Sequence, residues 1–157
     1  MISLLPPVLF IVAVVSALAG MEPPGASDSP PLDERLLLWT LYLSFGWAAV
    51  GGSLAHTVFA KRTAQSIGWE SNPFQYEVGF AGLARGLASI YAVHSGSEDA
   101  WVAVAIAGSI MLLFAGFLHI SEMRKERNFN PGNTAILVSD FGAPIVVIVT
   151  LISVGAL

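Results

Sequence analysis

The chain has 157 residues, of which 55% are hydrophobic and only 11% are charged. Charged residues make up about 25% of an average soluble domain, so the composition predicts an integral membrane protein without a separate soluble domain. The net charge of −4 excludes the basic footprint of a nucleic-acid-binding protein, and the absence of cysteine excludes disulfides, thiolate nucleophiles and iron–sulfur ligation.

Five long apolar runs predict five membrane-spanning helices, because about 20 apolar residues are needed to cross a bilayer. They cover residues 4–20, 36–60, 74–93, 100–120 and 134–157, the last with a kink expected near Pro144. The runs are continuous and do not alternate in polarity as barrel strands do, so we predict an all-α, polytopic bundle forming a single domain over residues 1–157.

The first run also resembles the hydrophobic part of a signal peptide, and its cleavage would leave four helices. Ala17-Leu18-Ala19 is similar to a cleavage site, but no Lys or Arg precedes the run. We therefore favour an uncleaved first helix. The Pro-rich and acidic stretch that follows, residues 21–35, is predicted to be an exposed loop without a core.

Basic residues are concentrated in two connecting loops. Residues 61–62 and 124–127 hold five of the seven Lys and Arg residues of the chain. These loops are two helices apart and therefore lie on the same side of the predicted bundle, whereas the loops at 21–35 and 94–99 are mainly acidic. The positive-inside rule then predicts cytoplasmic basic loops, with the N-terminus inside and the C-terminus outside.

The polar stretch of residues 62–79 connects the second run to the third and contains a helix start. We predict that Asn72 caps this helix, with Pro73 at the first helical position and Gln75 closing a capping-box-like pair. Glu77 follows one turn later. The stretch is therefore expected to return a carboxylate to apolar surroundings.

Titratable side chains inside apolar runs are energetically expensive, which makes them the candidate functional residues. Counted from the basic loops, four of them lie about 6–10 Å inside the membrane, one on each of the last four helices. They are His56, Glu77, His119 and Asp140. Two imidazoles and two carboxylates at one depth predict a site for zinc, iron or manganese, with Glu122 as a further ligand from the helix of His119.

Other interpretations of the same four side chains stay open. Imidazoles beside buried carboxylates are also typical of a proton relay. Alternatively, they form interhelical hydrogen bonds that only hold the bundle, and the protein is then a structural accessory subunit that binds other membrane subunits or itself. A membrane enzyme that activates water at a bound metal is a further alternative.

Arg85 lies about 12 Å beyond Glu77 along the third helix, near the expected centre of the bilayer. We expect it to pair with Asp140, with an incoming anion or with a partner subunit. Pairs of small residues at helical spacing, such as Gly82 and Gly86, predict close packing between helices.

Several short motifs surround these polar positions. They are Ile67-Gly68-Trp69, Pro73-Phe74-Gln75, Glu77-Val78-Gly79, His119-Ile120, Pro131-Gly132-Asn133, and Asp140 with Pro144 after it. Together they resemble the signature of a domain-of-unknown-function family of small multi-pass bacterial membrane proteins. The resemblance covers about residues 40–150, leaving the first helix and the acidic loop outside. It implies a location in the bacterial cytoplasmic membrane and no established activity, and Arg85 departs from it, since an apolar residue is expected there.

Overall fold

The computed structural model describes residues 4–157, and this part of the chain is helical without strands. Its six helices are α1 (Leu5–Leu18), α2 (Leu32–His56), α3 (Ala60–Ile67), α4 (Phe74–Ser95), α5 (Glu98–Lys125) and α6 (Pro131–Ser153). The all-α prediction is confirmed. The predicted count of five is wrong by one, because α3 forms a separate short helix after the second run.

Helix α3 forms because the stretch that follows the second run is amphipathic. Lys61, Arg62 and Gln65 are exposed, whereas Ala60 and Ile67 are buried. A left-handed residue, Gly68, then ends the helix with φ of 76°, a conformation that glycine adopts without strain. The chain therefore leaves α2 at His56, four residues earlier than the apolar run suggests.

Three helices are long and apolar enough to cross a membrane: α2, α5 and α6. Helix α1 is apolar but has 14 residues, a length of about 21 Å against a hydrocarbon core of about 30 Å. Helix α4 has 22 residues, but Glu77 and Arg85 lower its hydropathy. These three helices support the prediction of a membrane protein.

Consecutive long helices run antiparallel. Gly79 at the start of α4 packs beside Thr57 at the end of α2, and Gly86 packs beside Gly46 farther along. The connections at 57–73 and 126–130 therefore meet at one end of the bundle, where the Asn128 side chain donates a hydrogen bond of 2.7 Å to the Ile67 carbonyl. The two basic loops lie on the same side, as the order of the apolar runs requires.

Helices α2 and α4 approach each other through glycine. A methyl group on Gly86 would lie 2.8 Å from the Gly46 carbonyl oxygen, and one on Gly82 would lie 3.4 Å from the Ala49 carbonyl oxygen. Ser89 adds a hydrogen bond of 2.8 Å to the Leu41 carbonyl. The small face predicted at Gly82 and Gly86 is thus a helix–helix contact.

Helix α1 is a packed part of the bundle. Ala13 and Ala17 are fully buried, and Phe10 belongs to the same hydrophobic core as Phe45 of α2 and Val147 of α6. This core lies around the middle of α2, where residues Thr40–Trp47 form a π-helical segment. A segment of this kind often marks a functional site.

The end of the bundle opposite the basic loops is closed by the acidic loop. Arg35 donates from Nε to the Ala17 carbonyl at 3.1 Å and from Nη1 to the Pro30 carbonyl at 2.8 Å. Trp39 donates to the Met21 carbonyl at 3.0 Å. The prediction of a loop without a core is wrong in part, because Pro30 is fully buried and these bonds fasten the loop to α1 and α2.

Candidate functional site

The start of α4 places the first predicted site residues. The helix begins one residue later than predicted, at Phe74, with Pro73 in the N-cap position. Asn72 still accepts the Phe74 amide at 3.0 Å. The capping-box-like role predicted for Gln75 is wrong. Its side chain donates instead to the Ala60 carbonyl at 3.0 Å and accepts from Ser71 at 3.0 Å. Gln75 therefore joins α4 to α3.

Glu77 is exposed on α4, so the expectation of a carboxylate returned to the interior is not met. Gly79, two residues later, faces α2, and two residues correspond to about 200° around a helix. The packing of Gly79 against His56 therefore turns Glu77 away from the other candidate residues.

Two imidazoles come together at the loop end of the bundle. His56 at the end of α2 and His119 near the end of α5 are close enough for their charges to interact. Both rings are partly buried. The Nδ1 atom of His56 is buried and has no hydrogen-bond partner.

The His119 ring is held by Asn133 and Trp69. Its Nδ1 lies 2.6 Å from Oδ1 of Asn133, and the Trp69 ring lies 5.2 Å away at an interplanar angle of 30°. Asn133 is fully buried and donates from Nδ2 to the Asn128 carbonyl at 2.9 Å. The amide orientation leaves Oδ1 as an acceptor, so His119 donates from Nδ1 and keeps Nε2 as its free acceptor.

The two residues that hold the His119 ring were not among the candidates drawn from the sequence. Neither side chain titrates at neutral pH, so a search for charged groups passes over both. A signal was nevertheless present, since Trp69 and Asn133 each belong to one of the short motifs around the polar positions.

Asp140 and Arg85 form a second polar pair, deeper in the bundle. Asp140 has an exposed fraction of only 2%, and Arg85 is partly buried. Their charges interact. However, Oδ2 of Asp140 and both Nε and Nη1 of Arg85 are buried without hydrogen-bond partners. The pairing of Arg85 with Asp140 expected from the sequence is therefore electrostatic, and these atoms leave hydrogen-bonding capacity unused.

The depth of Asp140 follows from its neighbour on α5. A methyl group on Gly116 would lie 3.1 Å from Cβ of Asp140, and His119 follows Gly116 by three residues, about 4.5 Å along the helix. Asp140 thus lies roughly one turn deeper than the two imidazoles. Pro144 follows within the same helix and, lacking an N–H, leaves the Asp140 carbonyl without its usual intrahelical donor.

The predicted four-residue cluster is not assembled as a metal site. Across residues 4–157, no three His, Cys, Asp or Glu side chains lie close enough to hold a metal ion together. Glu77 points outward and Asp140 lies deeper than the imidazoles, while Glu122 lies near His119 on the same helix. Whether the chain binds a metal stays a prediction.

The two pairs together provide titratable groups at two successive depths. The imidazoles lie beside the basic loops, and the carboxyl group lies about one turn farther in, where its charge interacts with that of Arg85. Histidine exchanges protons near neutral pH, and a buried carboxyl group can hold a proton when it has no bonded partner. The arrangement is therefore chemically suited to taking up and holding protons.

A model of a protein family described as a family of unknown function, DUF6790, matches residues 3–155. The predicted resemblance to a family of unknown function is confirmed. Its predicted extent is too short, since the match includes the first helix and the acidic loop, which the structure shows to be packed parts of the bundle. No curated protein and no solved structure matches the chain.

Proposed function

We propose, from the premise that the chain belongs to the family of unknown function DUF6790, that it is a membrane-embedded bundle with a proton-linked polar site. One observation carries this proposal. The buried carboxyl group of Asp140, whose charge interacts with that of Arg85, has an unpartnered oxygen. It lies about one helical turn inside the imidazoles of His56 and His119. Such groups are rare within membrane helices and are typical of ion and proton pathways.

The energetics of burial favour a titrating role over a purely structural one. An ion pair that only holds helices together needs bonded geometry to compensate for the loss of hydration. This bonded geometry is missing here, because Oδ2 of Asp140 and both Nε and Nη1 of Arg85 have no hydrogen-bond partner. A carboxyl group in this position can instead exist in two states, as a carboxylate facing the guanidinium or as a neutral acid.

In the proposed membrane arrangement every helix except α3 crosses the bilayer. Helix α1, which is shorter than the hydrocarbon core, crosses it packed against α2 and α6. The basic loops are cytoplasmic, the N-terminus is inside and the C-terminus is outside. The meeting of both basic loops at one end of the bundle supports this orientation. The imidazole pair then lies near the cytoplasmic surface and Asp140 within the cytoplasmic half.

Proton flux into liposomes tests the proposal. The purified chain is reconstituted in a chloride buffer with an internal pH-sensitive dye. An inward pH gradient drives protons, while valinomycin with equal potassium on both sides holds the membrane potential at zero. We expect faster acidification than in empty liposomes, and a return to the background rate in Asp140→Asn. Glu77→Gln is the matched control, because it neutralises an exposed carboxylate and should leave the flux unchanged.

Two results would overturn the proposal. One is a wild-type rate equal to that of empty liposomes at verified protein incorporation. The other is a flux that Asp140→Asn leaves intact.

Metal binding is a second candidate, favoured by the unpartnered Nδ1 of His56 near His119. A transition metal such as zinc, iron or manganese would take both imidazoles and complete its coordination with water. Elemental analysis of protein purified in mild detergent, without chelator or nickel resin, tests this directly. About one equivalent of a single metal, lost in both His56→Ala and His119→Ala, would support the site. Metal-free wild type would reject it. The accessory-subunit and enzyme alternatives stay predictions.

A further inference from the structure

We propose that the space between Arg85 and Asp140 binds a small monovalent anion, of the size of chloride or formate, together with one proton on Asp140. The proposal rests on the proton-linked function for the accompanying proton. The binding of the anion itself rests on the unsatisfied hydrogen-bonding groups of the two side chains.

The guanidinium of Arg85 provides the donors for the anion. Its Nε and Nη1 are buried and have no acceptor, although a guanidinium stays charged in proteins. Leaving charged donors unbonded in a region of low dielectric constant is costly, whereas a bound anion would satisfy them with charge-assisted hydrogen bonds. The donors therefore favour an anionic ligand.

The carboxyl group of Asp140 can be either a counter-charge for Arg85 or a neutral hydrogen-bond donor. It is nearly fully buried, at 2% exposure, and its Oδ2 is without a partner. As a carboxylate it balances the charge of Arg85. As a neutral acid it no longer does so, and its O–H becomes a donor that can bond to an anion beside Arg85.

The charges balance in both states. Arg85 with an ionised Asp140 is neutral overall, and so is Arg85 with a neutral Asp140 and one monovalent anion. Uptake of the anion thus requires uptake of one proton, which forms the O–H bond of Asp140. Its release returns that proton, and no unbalanced charge remains in the bundle at either stage.

Neighbouring helices provide few other titratable groups that could balance the charge of Arg85 in place of Asp140 or the anion. Helix α5 contributes His119 one turn away, α2 contributes His56 beside it, and α1 has no titratable residue. Glu77, on the helix of Arg85, is exposed. The occupant of the space is therefore decided mainly between Asp140 and the anion.

Close helix packing limits the size of the ligand. On α4, Gly82 and Gly86 on either side of Arg85 bring the backbone against α2, with only 3.4 Å and 2.8 Å between added methyl groups and the α2 carbonyls. On α5, Gly116 lies against Asp140 in the same way. Close approach of the helices around the two side chains disfavours multivalent and large anions, so the proposed ligand is small and monovalent.

Nuclear magnetic resonance of the full chain in detergent, with 15N-labelled arginine, tests the proposal. Chloride and formate are titrated at constant ionic strength, with sulfate as the large divalent control. We expect a saturable shift of the Arg85 Nε–H signal with chloride or formate and none with sulfate. The exposed Arg62 serves as an internal reference that should not respond.

The coupling to the proton sets the expected pH dependence. The affinity for the anion should rise about tenfold for each unit decrease in pH as long as Asp140 is ionised in the anion-free protein, because one proton binds with each anion. Asp140→Asn, which carries a permanent N–H donor and no charge, should keep the binding and lose this dependence. Arg85→Gln should lose the binding, and if it does not fold, Asp140→Asn still decides the outcome.

The proposal is overturned if the Arg85 signal responds equally to all three salts or to none, the latter indicating water alone between the two side chains. Saturable binding that does not depend on pH in wild type also rejects the coupled form. The proton-flux experiment separates the two proposals. Saturable binding without flux rejects the proton-linked function, and flux without binding rejects only the anion.

Discussion

Gly86 decides, at the scale of a single residue, how closely α4 approaches α2. In Gly86→Ala the added methyl group would lie 2.8 Å from the Gly46 carbonyl oxygen, so the helices must move apart. We expect a loss of about 1–3 kcal/mol in the free energy of unfolding, measured by circular dichroism in detergent with increasing denaturant. Gly52→Ala is the control, because a methyl group there meets nothing within 4 Å.

The control variant Gly52→Ala is itself expected to raise the free energy of unfolding. Gly52 lies inside α2, where replacing glycine by alanine usually stabilises a helix by about 0.5–1 kcal/mol. Equal stabilities for the two variants would contradict the close contact between α2 and α4. They would also remove the argument that only a small ligand fits beside Arg85.

Asn133 determines the protonation of an imidazole. Its Oδ1 lies 2.6 Å from Nδ1 of His119, while its Nδ2 is occupied by the Asn128 carbonyl. We expect 15N spectra of labelled histidine to show neutral His119 protonated at Nδ1. In Asn133→Ala the Nε2-protonated form should appear, because the acceptor that selects the tautomer is gone.

The exposed Asn72 provides the control for this measurement. Its side chain accepts the Phe74 amide and makes no hydrogen bond to the imidazole, so Asn72→Ala should leave the His119 tautomer unchanged. A wild-type spectrum with His119 protonated at Nε2 would show that Asn133 is oriented the other way.

At the scale of elements, Arg35 fastens the loop between α1 and α2. It bonds the Ala17 carbonyl at the end of α1 and the Pro30 carbonyl in the loop. In Arg35→Lys the charge is kept, but one ammonium group cannot reproduce the geometry of both bonds. We expect faster proteolysis within residues 21–31 and a loss of about 1–2 kcal/mol in stability.

Arg62→Lys is the matched variant for this experiment. Arg62 is exposed at the opposite end of the bundle, so its replacement should change neither the proteolysis rate nor the stability. Equal rates for wild type and Arg35→Lys would mean that the loop is held by the other contacts, such as the bond from Trp39 to the Met21 carbonyl.

At the scale of the whole molecule, the proposed orientation places the two ends of the bundle on opposite sides of the membrane. The chain contains no cysteine, so a single introduced cysteine can be labelled without background. In intact cells a membrane-impermeant maleimide should label Asp28→Cys and should label Gln65→Cys only after permeabilisation. Both positions are exposed in the structure. The reverse pattern would invert the topology, and labelling of both in intact cells would reject the membrane arrangement.

Composition and periodicity were sufficient for the class of the protein and the order of its helices. The five apolar runs correspond to the five helices other than α3. The alternation of these runs requires the two basic loops to share one end. These features follow from local sequence, because burial of long apolar segments and the placement of charges depend little on which helix contacts which. The short helix α3 was missed because its amphipathic residues continue directly from an apolar run.

Which polar groups meet was decided only by tertiary structure. Residue counting from the loops gave His56, Glu77, His119 and Asp140 similar depths, but it could not give their directions around each helix. The contact of Gly79 with α2 turns Glu77 outward. Helix α6 starts earlier than predicted, at Pro131, and this places Asp140 about one turn deeper in the bundle than His119. Sequence determined the depth of each residue within about a turn, whereas helix packing determined the face it presents, and the face decides its chemical partners.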